Sequence, residues 1–297
     1  MKPSVLEDAV AKSVKLLPNT RRSYLAAVRE FVGFAGADSR RWTGDIMVNF
    51  RTKLARRLKV KSVNTRLAAL RFAVRRAIDL GTLTGPNFAR VAEFLPEPLD
   101  SKPRRAVPIE VGERILAACA GNGLADLRDR AMIALGFYFG VRRESIATLE
   151  MDRLDLRRNE FTVVVKGRRL HTITLHAKAR RAIEPWLAAL RAHRAPLTGR
   201  VFRRLHRDIY ATGGLRIGKE LSAAGVSEVI KIRAEVAGYP KFHAHLMRHC
   251  FISWALENGA TEAEVMAVTG HRSLTSFRGY RSPTKATGKL LIPDLEA

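Results

Sequence analysis

The sequence predicts a mainly helical protein that contains one small antiparallel β-sheet and is divided into two domains. Apolar residues recur at helical spacing through most of the 297-residue chain, two short runs rich in valine, threonine and isoleucine have the pattern of a β-hairpin, and a proline-rich segment interrupts the helical pattern. We therefore expect an all-α N-terminal domain over residues 1–95, a linker over 96–108 and a mostly helical α+β domain over 109–297.

Three predicted helices account for most of the N-terminal domain. Asn19 or Thr20 would cap the first, Thr43 the second and Ser62 the third, and Gly81 would end the third in a left-handed conformation. The apolar faces that predict these helices are Tyr24, Val28, Phe31 and Val32, then Ile46, Phe50, Leu54 and Leu58, then Val63, Leu67, Leu70, Val74 and Ile78.

The polar side of the third predicted helix is rich in arginine. Its basic residues are Arg66, Arg71, Arg75 and Arg76. A solvated face is one interpretation, but a surface that contacts DNA phosphates is favoured, because Arg56, Arg57, Lys59 and Lys61 extend the basic region.

Pro96–Pro108 contains four prolines in thirteen residues. Proline lacks the backbone N–H that helices and central strands need, so this segment is predicted to be an interdomain linker. Its basic residues suit a chain that runs along a DNA duplex.

The second domain is predicted to contain a hairpin among helices. Its strands are Glu160–Val165 and Leu170–Leu175, joined by a tip at Lys166–Arg169. The predicted helices lie near 109–120, 126–138, 177–192, 216–223, 226–237 and 245–258. A last helix would begin after a Thr261 cap and end at Gly270.

Composition restricts the partners of the protein. The formal net charge is +25, whereas 46% of the residues are hydrophobic, so the chain is a folded protein rather than a disordered polycation. Such a charge suits nucleic acid, because neutralising DNA phosphates releases condensed counterions. An architectural or ribosomal protein could carry the same charge, and an anionic membrane is a weaker candidate.

Two further observations concern the cellular compartment. No run of about 18 apolar residues predicts a membrane span, and no apolar run after a basic start predicts a signal peptide. Cys119 and Cys250 are the only cysteines and form no C-x-x-C pair, so a reducing cytoplasm, close to the nucleoid, is the expected location.

Six residues in local clusters could together carry out phosphoryl transfer: Arg142, Lys166, His245, Arg248, His271 and Tyr280. Arginine is suited to hold phosphate oxygens, because its planar guanidinium donates two parallel hydrogen bonds. The phenol of Tyr280 could attack the phosphorus, and Lys166, at the hairpin tip, could protonate the leaving 5′ oxygen. Arg168 and Arg169 beside it could replace Lys166 or contact backbone phosphates.

Two metal-dependent alternatives are less favoured. His243, His245 and His249 could bind zinc, but Leu246 stands where an H-E-x-x-H motif would have its glutamate. A two-magnesium nuclease would need clustered carboxylates, whereas the available aspartates have the pattern of caps and turns. Those aspartates are Asp126, Asp129, Asp152 and Asp155. We therefore expect no metal and no cofactor.

The motifs resemble those of the tyrosine recombinase, or phage integrase, family. Gly140–Ile146 is similar to the family's Gly-Leu-Arg-x-Ser-Glu-Leu box, with Glu144 and Ser145 in inverted order. His245–His249 is similar to its His-x-Leu-Arg-His box, with Met247 in place of leucine. Gly270-His271, with Tyr280 nine residues on, is similar to its Leu-Gly-His box and nucleophile. Here Thr269 replaces the leucine, and Val165 stands where glycine often precedes the lysine.

The resemblance implies a fold, a mechanism and partners. The N-terminal domain would be a SAM-like core-binding domain, and the rest the tyrosine-recombinase catalytic domain. Tyr280 would form a 3′-phosphotyrosine, Arg142, Arg248 and His271 would stabilise the transition state, and His245 would manage the tyrosine proton. The partners would be double-stranded recombination sites, three further protomers that exchange strands through a Holliday junction, and accessory DNA-bending proteins. Arg281–Ala297 would dock on a neighbouring protomer or fold back onto its own domain.

Two other functions stay open at this point. A type IB topoisomerase shares the chemistry but relaxes supercoils as a monomer, and the N-terminal helical domain and His-x-x-Arg-His box favour a recombinase. A DNA-binding protein of recombinase ancestry would carry out no chemistry, and the intact set of six residues argues against it.

Overall fold

A computed structural model describes residues 4–83, 107–165, 167–207, 215–271 and 277 of the chain. The chain divides into two compact units, Met1–Ser101 and Lys102–Ala297. The division falls inside the segment 96–108 that the sequence assigns to a linker, and of that segment the structure describes Val107 and Pro108 alone.

The described part of the first unit is built of α-helices joined by short turns. They are α1 (Val5–Ala11), α2 (Pro18–Ala35), α3 (Gly44–Ala55) and α4 (Val60–Asp79). The predicted Thr43 cap is confirmed, because its side chain accepts a hydrogen bond from the Ile46 amide. The other two predicted caps are wrong: α2 begins after Leu17 with proline in its first turn, and α4 begins after Lys59.

The predicted apolar faces form the core of this unit. Phe31 packs edge-to-face against Trp42 and Phe50, and α4 buries Val63, Leu67, Leu70 and Val74. Ile78, the last member of the predicted face of α4, is exposed. Gly81 follows α4 with the predicted positive φ, +67°.

The second unit combines helices with two small sheets. Its described helices are α5 (Ile109–Ala117), α6 (Leu124–Phe139), α7 (Arg143–Ala147), α8 (Ala177–Ala192), α9 (Ala223–Val236), α10 (Ala244–Glu257) and α11 (Glu262–Thr269). Its strands are β1 (Leu154–Asp155), β2 (Glu160–Val165), β3 (Arg169–Thr174), β4 (Arg203–Arg207) and β5 (Leu215–Glu220). The predicted mainly helical fold with a small antiparallel sheet is confirmed, and the structure adds a second, two-stranded sheet.

The hairpin lies where the sequence predicts it. Strands β1, β2 and β3 form an antiparallel sheet in that order, with Val165 opposite Arg169. Gly167 and Arg168, at the tip, have positive φ angles of +87° and +61°. Both residues are exposed.

One predicted helix of this unit is wrong. Residues 216–223 were expected to be helical, but Leu215–Glu220 is a strand that pairs antiparallel with β4, Leu205 lying opposite Ile217. Strands β1 and β4 and the short helix α7 were not predicted from the sequence.

The core of the second unit includes a buried ionic network. Arg233 on α9 donates to carboxylates of Asp126 and Asp129 on α6, at 2.8 Å each. Arg128 donates to Asp129 at 2.7 Å and to the Arg203 carbonyl at 3.2 Å. These charges tie α6 to α9 and β4, since a buried carboxylate left without its cation would be costly.

The described residues include no helix that is both long and apolar enough to cross a membrane.

Candidate active site

Arg142 lies at the start of a five-residue helix. Helix α6 ends at Gly140, whose φ of +60° is left-handed, and the chain turns so that Arg142 becomes the N-cap of α7. A side chain at position 140 would also come within 3.1 to 3.3 Å of Phe251, Arg248 and Thr269. Glycine is therefore required for both the turn and the space. Arg142 itself is half-buried.

Arg248 is held inside the protein by α10, and its side chain is among the largest that are fully buried. Its Nη1 donates to the Gly140 carbonyl at 2.6 Å, and its Nη2 donates to the Thr269 carbonyl at 2.8 Å. The same Nη2 lies 3.1 Å from each ring nitrogen of His271. One guanidinium thus joins the end of α6 to the end of α11.

His271 is positioned by the left-handed end of α11. Gly270 has a φ of +68°, and its added Cβ would lie 3.2 Å from Val165 and 3.3 Å from His171. The His271 amide donates to the Met266 carbonyl at 3.1 Å, which closes the turn. The predicted Thr261 cap and Gly270 stop of this helix are both confirmed.

The surroundings of His271 keep its ring neutral. Burial lowers the pKa of His271 to about 3, and the positive charge of Arg248, then of Arg142, and then His245 act in the same direction. Two of the predicted arginines and His245 are thus close enough to this imidazole to oppose its protonation.

Arg142, His245 and Arg248 line one cavity of about 620 Å³. His245 is exposed on its wall and lies edge-to-face with the buried ring of His249, with 5.1 Å between ring centroids. Further cations, Lys231 and Lys241, contribute to the same wall. The cavity is open to solvent, carries excess positive charge and is large enough for a phosphodiester.

Two hydrogen bonds connect the base of the hairpin to this site. The buried hydroxyl of Ser145, on α7, donates to the Val164 carbonyl at 2.6 Å. His171, on β3, donates through Nε2 to the Val268 carbonyl at 3.0 Å, since a carbonyl oxygen can only accept. The hairpin is therefore fixed to both the Arg142 helix and the helix that precedes His271.

Two of the six predicted residues, Lys166 and Tyr280, lie outside the described residues. Their described neighbours do belong to the site. Val165 packs under Gly270, and Phe277 is fully buried, with its ring 5.3 Å from that of His271. The segment Arg281–Ala297 is also outside the described residues.

The predicted DNA-binding arginines of α4 lie in two different environments. Arg66 pairs with Glu30 at 2.7 Å and is half-buried. The other three line a separate depression of about 380 Å³ on the first unit, together with Lys15 and Phe72; they are Arg71, Arg75 and Arg76. At the hairpin, Arg168 is exposed and Arg169 is half-buried.

Among the described residues, no group of three histidine, cysteine, aspartate or glutamate side chains is arranged to hold a metal ion. Asp155 accepts from the amides of Arg157 and Arg158, the turn role that the sequence predicts. Asp126 and Asp129 are not caps: they belong to the ionic network on α6.

A comparison with protein families identifies the chain. A sequence model described as the phage integrase family matches residues 107–287, which is more than half of the chain. The chain belongs to the phage integrase family. The matched region includes all six predicted site residues.

Curated relatives agree with this assignment. The tyrosine recombinase XerC of Azotobacter vinelandii is 28% identical over 180 residues, 59% of this chain and 55% of that protein. The chain thus spans about half the length of that relative. The XerC of Pseudomonas fluorescens is 27% identical over 272 residues, 89% of this chain and 85% of that protein.

Solved structures of other family members share the fold. A structure of the XerH site-specific recombinase bound to palindromic difH substrate matches with a TM-score of 0.70 and 16% identity, over 93% of this chain and 79% of that one. A lambda integrase tetramer bound to a Holliday junction matches with a TM-score of 0.67 and 17% identity, over 93% and 75%. At such identities the likeness establishes the fold.

The sequence did not identify three residues that contribute to the site. Thr269 and Ser145 were noted solely as departures from the family boxes, although both hydroxyls are buried and bonded. His171 alternates with exposed residues along β3, and nothing in the surrounding sequence indicated a role in the site. The first two could have been found by asking what a polar residue does where the family has another type.

Proposed function

We propose that this protein is a site-specific tyrosine recombinase that cleaves and rejoins DNA through a 3′-phosphotyrosine. The observation that carries the proposal is the cavity in which Arg142, His245 and Arg248 meet, with His271 in contact with Arg248. Arg142, the pair Lys231 and Lys241, and Arg248 come from separated stretches of sequence and line a space of phosphodiester size, in a chain of net charge +25.

In the proposed reaction, Arg142 and Arg248 bind the nonbridging oxygens of the scissile phosphate. The Tyr280 oxygen attacks phosphorus, so that an O–P bond forms to the tyrosine while the bond to the 5′ oxygen breaks. The tyrosine proton passes to His245, and Lys166 gives a proton to the departing 5′ oxygen. A 5′-hydroxyl of another strand then reverses these steps, so the exchange conserves the phosphodiester energy.

The position of Phe277 supports Tyr280 as the nucleophile. Phe277 is buried against the ring of His271. Tyr280 follows three residues later, and three residues of chain extend at most about 11 Å. A tether of this length is short enough for Tyr280 to act on a phosphate bound beside His271, which supports the proposal.

We further propose double-stranded DNA sites as the partner, with a homotetramer assembled on them in the cytoplasm, at the nucleoid. Arg71, Arg75 and Arg76 on the first unit, and Arg168 and Arg169 at the hairpin, would contact backbone phosphates. Such contacts position the protein on the duplex and carry no sequence information. The lambda integrase tetramer on a Holliday junction supports this assembly by analogy of fold.

Covalent trapping tests the proposal. DNA recovered with the protein from its host would supply the site, and a nick next to the scissile phosphate would prevent religation. We expect a protein–DNA adduct that survives denaturation, that Tyr280→Phe abolishes and that Tyr239→Phe retains. Tyr239 is a suitable control, because it is a half-buried tyrosine of the same unit.

Two results would contradict the proposal. An adduct that persists in Tyr280→Phe would remove this residue from its role. Efficient relaxation of unrelated supercoiled plasmid without any junction intermediate would instead indicate a type IB topoisomerase.

A further inference from the structure

Thr269 is a buried polar residue at the last position of α11, only 3% exposed. Its hydroxyl oxygen makes two short contacts, to the Val265 carbonyl at 2.6 Å and to Nδ1 of His271 at 2.8 Å. Its own carbonyl accepts from Arg248. One residue therefore contacts both predicted phosphate-binding groups of this half of the site.

Counting protons assigns the direction of each bond. A threonine hydroxyl has a single hydrogen. Two oxygens 2.6 Å apart need a proton between them, and the Val265 carbonyl has none to give, so the Thr269 hydroxyl donates there. The remaining contact, to Nδ1 of His271, must then run the other way, with the ring donating to the hydroxyl oxygen.

This direction fixes the tautomer of the imidazole. A neutral histidine carries one ring proton, and here it is on Nδ1. Nε2 is left with a lone pair, and Arg248 Nη2 lies 3.1 Å from it. Nη2 is equally far from Nδ1, which is protonated and cannot accept, so Nε2 is the one ring nitrogen able to accept from the arginine.

We propose that Thr269 is a positioning residue that holds His271 in the Nδ1–H tautomer and thereby keeps Nε2 unprotonated beside Arg248. The activity consequence rests on the proposed function, whereas the tautomer does not. Any second proton must enter at Nε2. A leucine at position 269, as in the family's Leu-Gly-His box, could supply the backbone carbonyl but not the hydroxyl.

The electrostatic surroundings agree with a neutral ring. Burial, Arg248, Arg142 and His245 all lower the pKa of His271. An anionic phosphate bound between these groups would act in the opposite direction. The ring would then take its second proton at Nε2 and donate it to a phosphate oxygen, while Thr269 keeps hold of Nδ1.

Nitrogen NMR of histidine-labelled protein tests the proposal directly. Two-bond ¹⁵N–¹H correlation spectra distinguish Nδ1–H from Nε2–H rings, and His271→Gln identifies the signal of His271. For the full-length protein at neutral pH we expect the Nδ1–H pattern. Thr269→Ser should keep it, and Thr269→Val, which has the same shape without a hydroxyl, should lose it.

The proposal is overturned if the unmodified protein shows the Nε2–H tautomer, or if Thr269→Val leaves the Nδ1–H pattern unchanged. Should Thr269→Val fail to fold, the spectrum of the unmodified protein still decides. Thr269→Ser gives a second reading, since it removes a methyl group and retains the hydroxyl.

A cleavage assay then tests the consequence for the reaction. Thr269→Val should lower single-turnover cleavage about tenfold, as loss of a bond that orients a functional histidine does elsewhere. DNA affinity should be unchanged, and Thr269→Ser should restore the rate. If no variant forms a covalent adduct, the proposed function fails while the NMR result stands; if the adduct forms at equal rates in all three, the positioning role fails alone.

Discussion

The two halves of the candidate site are built differently. Around Arg248, the guanidinium, His271 and Thr269 are bonded to one another and to backbone carbonyls, and Arg248 is 2% exposed. Around Arg142 and His245 the side chains reach the open cavity, and among the described residues no hydrogen bond holds the Arg142 guanidinium. One half is organised before a phosphate arrives, and the other is left for the phosphate to complete.

This difference identifies the half of the site in which the same side chains serve both folding and catalysis. Preorganised donors need no rearrangement during reaction, which is the largest source of electrostatic stabilisation in many enzymes. Here that rigidity comes from using Arg248 as a structural crosslink between α6 and α11. We therefore expect substitutions in the buried half to affect folding and chemistry together, and substitutions in the open half to affect chemistry alone.

The largest effect is expected for Arg248→Ala. Cleavage should fall by about three orders of magnitude, and unfolding free energy by roughly 2–4 kcal/mol, because the buried carbonyls of Gly140 and Thr269 lose their donor. Single-turnover cleavage and urea unfolding measure the two losses. Arg248→Lys is the matched control, since it keeps the charge but not both bonds. A stable Arg248→Ala protein would show that the buried half is not a crosslink.

Arg142→Ala should separate the two properties. We expect cleavage to fall by about 100- to 1000-fold, while unfolding free energy changes by less than about 0.5 kcal/mol, because this half-buried side chain fills no core position and no hydrogen bond to a described residue holds its guanidinium. DNA affinity, measured at fixed salt, should fall far less than cleavage. Equal losses in affinity and cleavage would mean that Arg142 only positions DNA.

Ser145→Ala should weaken the proposed delivery of a proton by Lys166. Its hydroxyl ties α7 to Val164, two residues before the lysine. We expect a loss of about tenfold in cleavage. A substrate with sulfur as the 5′ bridging atom leaves as a thiolate, which needs no proton, so this substrate should restore the rate.

The control for Ser145 is Ser227→Ala. Ser227 accepts a hydrogen bond from Arg143 at 3.0 Å and lines the same cavity, but makes no bond to the hairpin residues that the structure describes. Any loss in this variant should persist with the sulfur substrate. If the sulfur substrate fails to restore the cleavage rate of Ser145→Ala, the hydroxyl stabilises the fold and does not position the hairpin for proton transfer.

The same contrast explains what the sequence could predict. The features that the sequence predicted correctly are set by interactions within a few residues. They are the positive φ angles of Gly81 and Gly270, the Thr43 and Thr261 caps, and the hairpin strands. The residue types of the site could also be predicted, because few side chains can hold a phosphate, attack it or transfer its protons.

Features set by distant parts of the chain were not predictable. Strand β4 reads Arg203-Arg204-Leu205-His206-Arg207, which has almost no β propensity, and it exists because β5 pairs with it. Without that partner, the pattern of residues 216–223 favours a helix. The roles of Ser145 and His171 likewise depend on carbonyls 19 and 97 positions away in sequence.

The smallest effect concerns stability as a function of pH. The folded pKa of His271 is about 3, below its ordinary value of 6.5, so the unfolded chain binds a proton that the folded protein excludes between these values. Unfolding free energy should therefore fall as pH decreases below about 6.5, with no contribution above it. His271→Gln cannot titrate, and its stability should fall less between pH 7 and pH 5 in urea titrations. Parallel curves for the two proteins would mean that the folded pKa of His271 lies close to its ordinary value. In that case Arg248 and burial would not hold the ring neutral, and the electrostatic contrast between the buried half and the open half would disappear.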